Sequence, residues 1–244
     1  MTNFAKYTEI QLGALESNPR VSDVVARKRD IIDSVYQFHN ISPASTLFVG
    51  FNPAVLATDA KITLTAVSPA VEDYLRAMNV DFEVIDLAAL ARYAKSFDSV
   101  VAFDEFFTFG STDTEQQNNI QMICRAARQV VISTLRDYKN QDFKDREFST
   151  PALIRNAEEN TIYMEFHDWS MKDRAAWSTM VYEIAHPDSQ FASYGPFDRR
   201  TMYFKQLAKF SMDAGATYFQ VHKNLMYKSL NKKNYEHVIS ITFE

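Results

Sequence analysis

Residues 46–67 read TLFVGFNPAVLATDAKITLTAV, in which two short β-rich apolar runs flank a turn. The first run ends at Gly50 and the second covers residues 62–67. Between them, Asn52 and Pro53 are residue types that favour turns. Short apolar runs of this kind are typical of strands that are buried on both faces of a sheet. This stretch therefore predicts the first two strands of a parallel sheet.

The alternation continues along the chain. Further apolar runs follow at residues 82–87, 99–103 and 130–134. The segments between the runs have helical patterns, at residues 54–57, 69–78, 88–95 and 114–128. Because crossovers between parallel strands are right-handed, five strands in this order leave few topologies besides a doubly wound sheet. We therefore expect an α/β fold.

Two segments flank this pattern. Residues 1–44 predict two amphipathic helices that form an N-terminal helical lid, and residues 45–244 predict the main domain. Within that domain, residues 140–196 predict an insertion with a β-hairpin formed by residues 161–167 and 178–184.

The chain after the insertion predicts a helix at residues 199–214 and strands at residues 217–224 and 235–243. The last strand alternates apolar and polar residues strictly, which favours antiparallel pairing. With these two strands the expected sheet has seven strands.

The bulk composition restricts the function. The chain has 244 residues, a formal net charge of −5 and one cysteine. This charge disfavours general nucleic-acid binding, and one cysteine excludes an internal disulfide. The five histidines lack the spacing of metal ligands, so we expect no metal. Without an apolar stretch that could span a bilayer or an N-terminal leader, we expect a cytoplasmic protein that does not insert into membranes.

The order of strands and helices, with its reversed terminal strand, resembles that of the class I S-adenosylmethionine-dependent methyltransferases. In that family the turn after the first strand carries glycines that let the backbone approach the cofactor. Here Gly50 matches the first glycine, Asn52 and Ala54 stand at the next two positions, and Phe48 replaces an acid. The resemblance implies S-adenosylmethionine as cofactor, with Gly50 and Asn52 beside it.

The same resemblance extends to the next two strands. Ser68 and Pro69 match the helix start after the second strand, but Ala66 or Val67 replaces the family's ribose-binding carboxylate. Asp86, at the end of the third strand, is implied as an adenine contact, and it could equally be the N-cap of the next helix. The predicted cofactor residues are therefore Gly50, Asn52, Ser68 and Asp86.

Asp104 and Glu105 follow the fourth strand, whose end in this family faces the transferred methyl group. Carboxylates at the mouth of a buried strand are costly to desolvate, which makes them candidate catalytic residues. One of them would act as the base if the acceptor is protonated. The alternative is that Asp104 caps the following loop and Glu105 faces water.

The insertion is rich in aromatic and acidic residues, a mixture that suits a flat or cationic acceptor or simple packing of the hairpin. Its members are Tyr163, Glu165, His167, Asp168, Trp169, Trp177, Tyr182 and Glu183. The predicted function is methyl transfer to a small-molecule or protein acceptor. A methyltransferase-like binding or structural subunit without catalysis is the alternative, and a nucleotide-sugar or nicotinamide enzyme is a third.

Overall fold

The computed structural model describes most of the chain. The described residues are 3–16, 20–103, 106–136, 146–148, 152–155, 160–170, 172–173, 175–186, 190–227 and 236–244.

The described residues form five α-helices and twelve strands, with three short 3₁₀ helices at Pro53–Ala57, Leu87–Arg92 and Phe106–Thr108. The helices are α1 (Asn3–Glu16), α2 (Val21–His39), α3 (Pro69–Ala77), α4 (Asp113–Ala126) and α5 (Phe204–Asp213). The strands are β1 (Ser45–Val49), β2 (Lys61–Thr65), β3 (Phe82–Ile85), β4 (Phe97–Ala102), β5 (Ala127–Arg136), β6 (Arg146–Phe148), β7 (Ala152–Arg155), β8 (Asn160–Trp169), β9 (Ala176–His186), β10 (Gln190–Arg200), β11 (Tyr218–Tyr227) and β12 (Glu236–Thr242).

Seven strands form one sheet in the order β3-β2-β1-β4-β5-β12-β11. Strands β1 to β5 run parallel to one another, while β12 is antiparallel to both β5 and β11. The predicted doubly wound, mostly parallel sheet with a reversed terminal strand is confirmed. Because the order changes direction at β1, a crevice is expected beside the carboxyl ends of β1 and β4.

The sheet is covered on both faces, which explains its apolar strands. On one face, Leu47 and Val49 of β1 pack in a core with residues of α4 and α5. On the other face, Phe48 packs in a second core with α2 and α3. Helix α1 contributes to both cores, with Phe4 in the first and Leu12 in the second. It therefore bridges the two sides of the sheet.

The single cysteine belongs to this core. Cys124 is fully buried on α4, and burial raises the pKa of its thiol to about 12. A thiol with so high a pKa is not a nucleophile at neutral pH.

The insertion differs from the predicted hairpin. It forms a second, five-stranded antiparallel sheet in the order β10-β9-β8-β6, with β7 also paired to β8. The two predicted hairpin strands correspond to β8 and β9, which are longer than expected. Strand β10 was missed because its pairing shifts register between Tyr194 and Phe197, around Gly195 and Pro196.

Two predicted helices also differ. The segment predicted as a helix at residues 88–95 is the 3₁₀ helix Leu87–Arg92. The helix predicted to begin at Arg199 begins at Phe204, because Arg199 and Arg200 still pair with β9. Within the described part of the chain, no helix is long and apolar enough to cross a membrane.

Two histidines meet a buried serine on the α2 side of the sheet. His39 Nε2 lies 2.7 Å and His222 Nε2 lies 2.8 Å from Oγ of Ser240. Burial lowers the pKa of both imidazoles, and the nearby His39 lowers that of His222 further. Both imidazoles are therefore more readily neutral in the folded protein than in the unfolded chain.

This cluster predicts that acid weakens the fold. Below about pH 6.5 the unfolded chain binds these protons and the folded protein does not, so the free energy of unfolding falls as pH decreases. The decline ends below the lowered folded pKa values, where both states are protonated. Urea unfolding at about pH 7.5 and about pH 5.5 measures the effect. The His39→Gln/His222→Gln variant should show a smaller decline, and an unchanged decline would contradict this account.

Candidate functional site

The four predicted cofactor residues lie along one edge of the parallel sheet. Gly50 and Asn52 follow β1, Ser68 follows β2, and Asp86 follows β3. Since β1, β2 and β3 are neighbouring parallel strands, their carboxyl ends meet at this edge. The structure thus brings the four positions to one side of the sheet.

Three of these side chains make local caps. Asn52 Oδ1 accepts a hydrogen bond from Ala54 N at 2.9 Å, and Asp86 Oδ1 accepts one from Ala88 N at 2.9 Å. Ser68 Oγ accepts a 3.4 Å bond from Val71 N, so the predicted N-cap of α3 is confirmed. Their residue types are therefore explained locally, and a role in cofactor binding stays a prediction.

Helix α1 fills the space beside the first turn. Gly50 has φ 73°, and a Cβ added to it would lie 2.5 Å from Cε1 of Phe4 and 2.8 Å from Cγ2 of Thr8. Phe4 and Thr8 are four residues apart and so share a face of the helix. The space beside this turn, where the resemblance placed the cofactor, is therefore occupied by the protein's own side chains, and this corrects the expectation of an accessible turn.

Two buried polar atoms at the same edge are left without partners. Asn52 Nδ2 and Thr65 Oγ1 have no hydrogen-bond partner among the residues that the structure describes. Such atoms are uncommon in proteins and favour a ligand or water as their partner. They supply one donor and one hydroxyl at the ends of β1 and β2.

The end of β2 differs from the family pattern. Ala66 has φ 54° and stands where the resemblance leads one to expect a carboxylate. A left-handed alanine costs about 1–2 kcal/mol, a strain of the kind found at functional turns. The polar groups of this edge fit S-adenosylmethionine in part, but α1 in this position leaves no room for it beside Gly50.

The predicted catalytic residues, Asp104 and Glu105, lie outside the described residues. The flanking Phe103 and Phe106 are both buried. The role of the two carboxylates therefore stays a prediction.

A second set of polar residues lies on the inner face of the antiparallel sheet. Glu165, His167 and Trp169 alternate along β8, and all three are buried. The hydroxyl of Tyr7 on α1 donates a 2.8 Å hydrogen bond to Glu165 Oε1. His167 Nε2 lies 3.8 Å from Glu165 Oε2, and its Nδ1 lies 3.0 Å from Thr179 Oγ1.

Arg199 links this sheet to the segment after β4. It is 1% exposed, and its Nε and Nη2 donate to Thr108 Oγ1 at 3.1 and 2.7 Å. Its guanidinium lies over the rings of Tyr7, Phe109 and Trp177, at 5.6, 4.6 and 5.3 Å from their centroids. No sequence pattern indicated this role, because the three rings come from three distant segments.

The aromatic and acidic segment of the insertion divides between two environments. Glu165, His167, Trp169 and Trp177 face inward, and the two indoles lie 4.4 Å apart. Asp168 is exposed, and Tyr182 stacks on Phe191. Glu183 accepts a hydrogen bond from Tyr194 at 2.8 Å. The side chain of Tyr163 lies outside the described residues.

Two adjoining cavities border α1 and the inward residues. One, of about 300 Å³, is lined by Phe4, Leu87 and Phe106 among others. The other, of about 320 Å³, is lined by Trp169 and Trp177 among others. Both are lined by Ser111 and Asp198, so the cavity beside the ends of β3 and β4 adjoins the cavity beside the indole pair.

No family model matches the chain, and no curated protein matches it. Solved structures are similar to it, among them three methyltransferases. A methyltransferase from Clostridium acetobutylicum that depends on S-adenosylmethionine aligns with a TM-score of 0.69 at 10% identity, over 96% of this chain and 98% of that chain.

Two sugar-modifying enzymes are also similar. An amino pentose methyltransferase of calicheamicin biosynthesis from Micromonospora echinaspora has a TM-score of 0.66 at 12% identity, over 91% of each chain. A sugar N-methyltransferase from Streptoalloteichus has a TM-score of 0.69 at 10% identity, over 90% of this chain and 87% of that chain. The chain has the fold of the class I methyltransferases, as the resemblance implied.

Proposed function

We propose that this protein binds S-adenosylmethionine at the carboxyl ends of β1 to β3 and methylates a small-molecule acceptor. The fold supports the proposal, and so do the descriptions of the similar structures, which include methyltransferases of amino pentoses and sugars. The observation that carries it is the pair of adjoining cavities, because one borders the segments after β3 and β4 and the other borders the indole pair. Their linings combine aromatic rings with polar and charged groups, and concave sites that combine apolar surface with polar groups are the usual form of small-molecule sites.

Three polar groups are suited to hold the cofactor. Asn52 Nδ2 and Thr65 Oγ1 are free to bind its polar atoms, and Asp86 Oδ2 extends beside a cap made by Oδ1. When bound, S-adenosylmethionine supplies a methyl group on a sulfonium that is reactive toward nucleophiles. The protein contributes alignment of the acceptor, exclusion of water and a carboxylate that accepts the acceptor's proton, a role for which the sequence alone suggested Asp104 and Glu105.

In this proposal the N-terminal segment, residues 1–44, acts as a lid. Phe4 and Thr8 of α1 must leave Gly50 before the cofactor enters. Only then does the turn after β1 become accessible. The free energy needed to move α1 away therefore lowers the observed affinity for the cofactor.

A second candidate function is favoured by the same contact. If α1 holds its place permanently, the chain is a methyltransferase-like binding or structural subunit without catalysis. The alanine at the end of β2 favours this candidate too, since a carboxylate contact to the ribose contributes on the order of 1.5–3 kcal/mol.

Calorimetric titration with S-adenosylmethionine separates the two. We expect the wild-type chain to bind with a dissociation constant of about 100 µM or tighter. The opening of α1 weakens this apparent affinity, because only the open form can bind. Gly50→Arg should abolish the heat because its side chain would fill the turn. Gly215→Arg is the matched control, since Gly215 also has positive φ but nothing lies within 4 Å of its added Cβ. If neither the wild type nor a variant with a weakened α1 contact gives heat, the result supports the non-catalytic subunit.

A further inference from the structure

Two aromatic rings of α1, those of Phe4 and Tyr7, span the distance from the Gly50 turn after β1 to the antiparallel sheet. Phe4 lies against Gly50 and, with its ring centroid, 4.9 Å from that of Phe109. The ring of Tyr7 lies 5.2 Å from the same Phe109 ring, and its hydroxyl reaches Glu165. The space that these rings occupy therefore has the Gly50 turn at one end and the Glu165 carboxylate at the other.

Glu165 is an unusual residue to find at the end of such a space. It is 5% exposed, and a carboxylate this deeply buried is costly unless hydrogen bonds compensate it. The Tyr7 hydroxyl compensates one oxygen at 2.8 Å. This bond comes from a helix rather than from the sheet, so it is lost when α1 moves away.

The second oxygen of this carboxylate lies near an imidazole. His167 Nε2 faces Oε2 at 3.8 Å, and the His167 ring is itself held by Thr179 through Nδ1. A distance of 3.8 Å is longer than a hydrogen bond, so His167 lies beside the carboxylate rather than bonded to it. The hydrogen bond to Oε1 comes from the Tyr7 phenol, a group of the same donor type as the N–H or O–H of a methyl acceptor.

We propose that Glu165 is the catalytic base of this protein and that the Tyr7 hydroxyl occupies, in the closed form, the place of the acceptor's N–H or O–H. The inference rests on the proposed function. The substrate class is a small molecule with an aliphatic amine or hydroxyl, bound among the rings that now surround Tyr7.

The proposed step transfers one methyl group to the acceptor and one proton to Glu165. The acceptor's nitrogen or oxygen lone pair forms a bond to the methyl carbon while the bond from that carbon to sulfur breaks. The bond electrons stay on sulfur, giving the neutral thioether. The proton of the acceptor passes to Glu165 Oε1, in the direction in which the Tyr7 hydroxyl now points.

A binding experiment without cofactor tests the place of the acceptor. Tyr7→Ala vacates the space beside Glu165, and the variant is titrated with benzylamine and with toluene, which lacks the amine. We expect benzylamine to bind at least about tenfold more tightly than toluene. In Tyr7→Ala/Glu165→Gln this preference should disappear. Equal affinities for the two probes in Tyr7→Ala would overturn the inference.

A kinetic experiment tests the base and uses only Glu165→Gln, so it does not depend on the folding of the Tyr7 variant. Methyl transfer from S-adenosylmethionine to benzylamine should be slower by at least about 100-fold, with the affinity for S-adenosylmethionine unchanged. Glu183→Gln is the matched control, because Glu183 also accepts a tyrosine hydroxyl at 2.8 Å but is less buried. An unchanged rate in Glu165→Gln refutes the assignment.

The two proposals fail in different measurements. Absence of S-adenosylmethionine binding refutes the proposed function. Equal binding of benzylamine and toluene by Tyr7→Ala refutes the role of Glu165, whatever the cofactor does.

Discussion

Phe4→Ala is expected to bind S-adenosylmethionine at least about tenfold more tightly than the wild-type chain, a gain of about 1.4 kcal/mol. The wild type must separate Phe4 from Gly50, Phe106 and Phe109 before the cofactor can enter. This cost is subtracted from the observed affinity, as for any ligand that binds a minor conformation. Removing the ring lowers the cost and leaves space beside the turn. Calorimetric titration of both proteins measures the difference.

The same variant should lose stability while it gains affinity. Phe4 is 4% exposed, and truncating a buried phenylalanine to alanine costs about 3–5 kcal/mol. Phe38→Ala is the control, because Phe38 is 59% exposed on α2 and its loss should change neither quantity greatly. Lower stability without any gain in affinity would indicate that α1 is a fixed part of the fold, and would favour the non-catalytic subunit.

The sheet was predictable from the sequence because its determinants are local. Each parallel strand is buried on both faces, so runs such as that of β1 are continuously apolar and stand out from the amphipathic helices between them. The reversed direction of β12 was predicted from a different local pattern, since its residues alternate between apolar and polar types. Right-handed crossovers then restricted the order of the strands.

The helix α1 was predictable from the sequence, but its position over the Gly50 turn was not. An amphipathic pattern shows that one face of α1 is buried and does not show against what. Phe4 reaches Gly50 across 46 positions of sequence, and nothing in either segment indicates the other. The partners of a side chain in such long-range packing are set by tertiary structure alone.

The antiparallel sheet illustrates a second limit. The sequence signalled the residues of β8 and β9 that carry aromatic and acidic side chains, including Glu165 and His167. It did not separate the inward residues from exposed Asp168, because the boundaries of β8 depend on its pairing with β9 and its inward face depends on contact with α1. Arg199 was predicted to begin a helix, and its pairing with Trp177 across the sheet overrides that local preference.

Arg199→Ala is expected to lower the free energy of unfolding by about 3 kcal/mol or more. The side chain is almost fully buried, so its removal leaves a cavity among three aromatic rings. The hydroxyl of Thr108 also loses both guanidinium donors inside the protein. Chemical denaturation measures the loss, and Arg199→Lys should recover little of it because an ammonium cannot stack as a planar guanidinium does.

The neighbouring Arg200 provides the control for charge and chain position. Its guanidinium pairs with Asp113 and Asp173, whose carboxylates are largely exposed to solvent. Exposed ion pairs contribute about 1 kcal/mol or less, so Arg200→Ala should have a small effect. If the two variants lose similar stability, the rings around Arg199 do not hold the antiparallel sheet against the segment after β4. A large loss confined to Arg199→Ala would show that this one side chain holds together the wall of the cavity beside the indole pair, because Arg199 and Trp177 both line it.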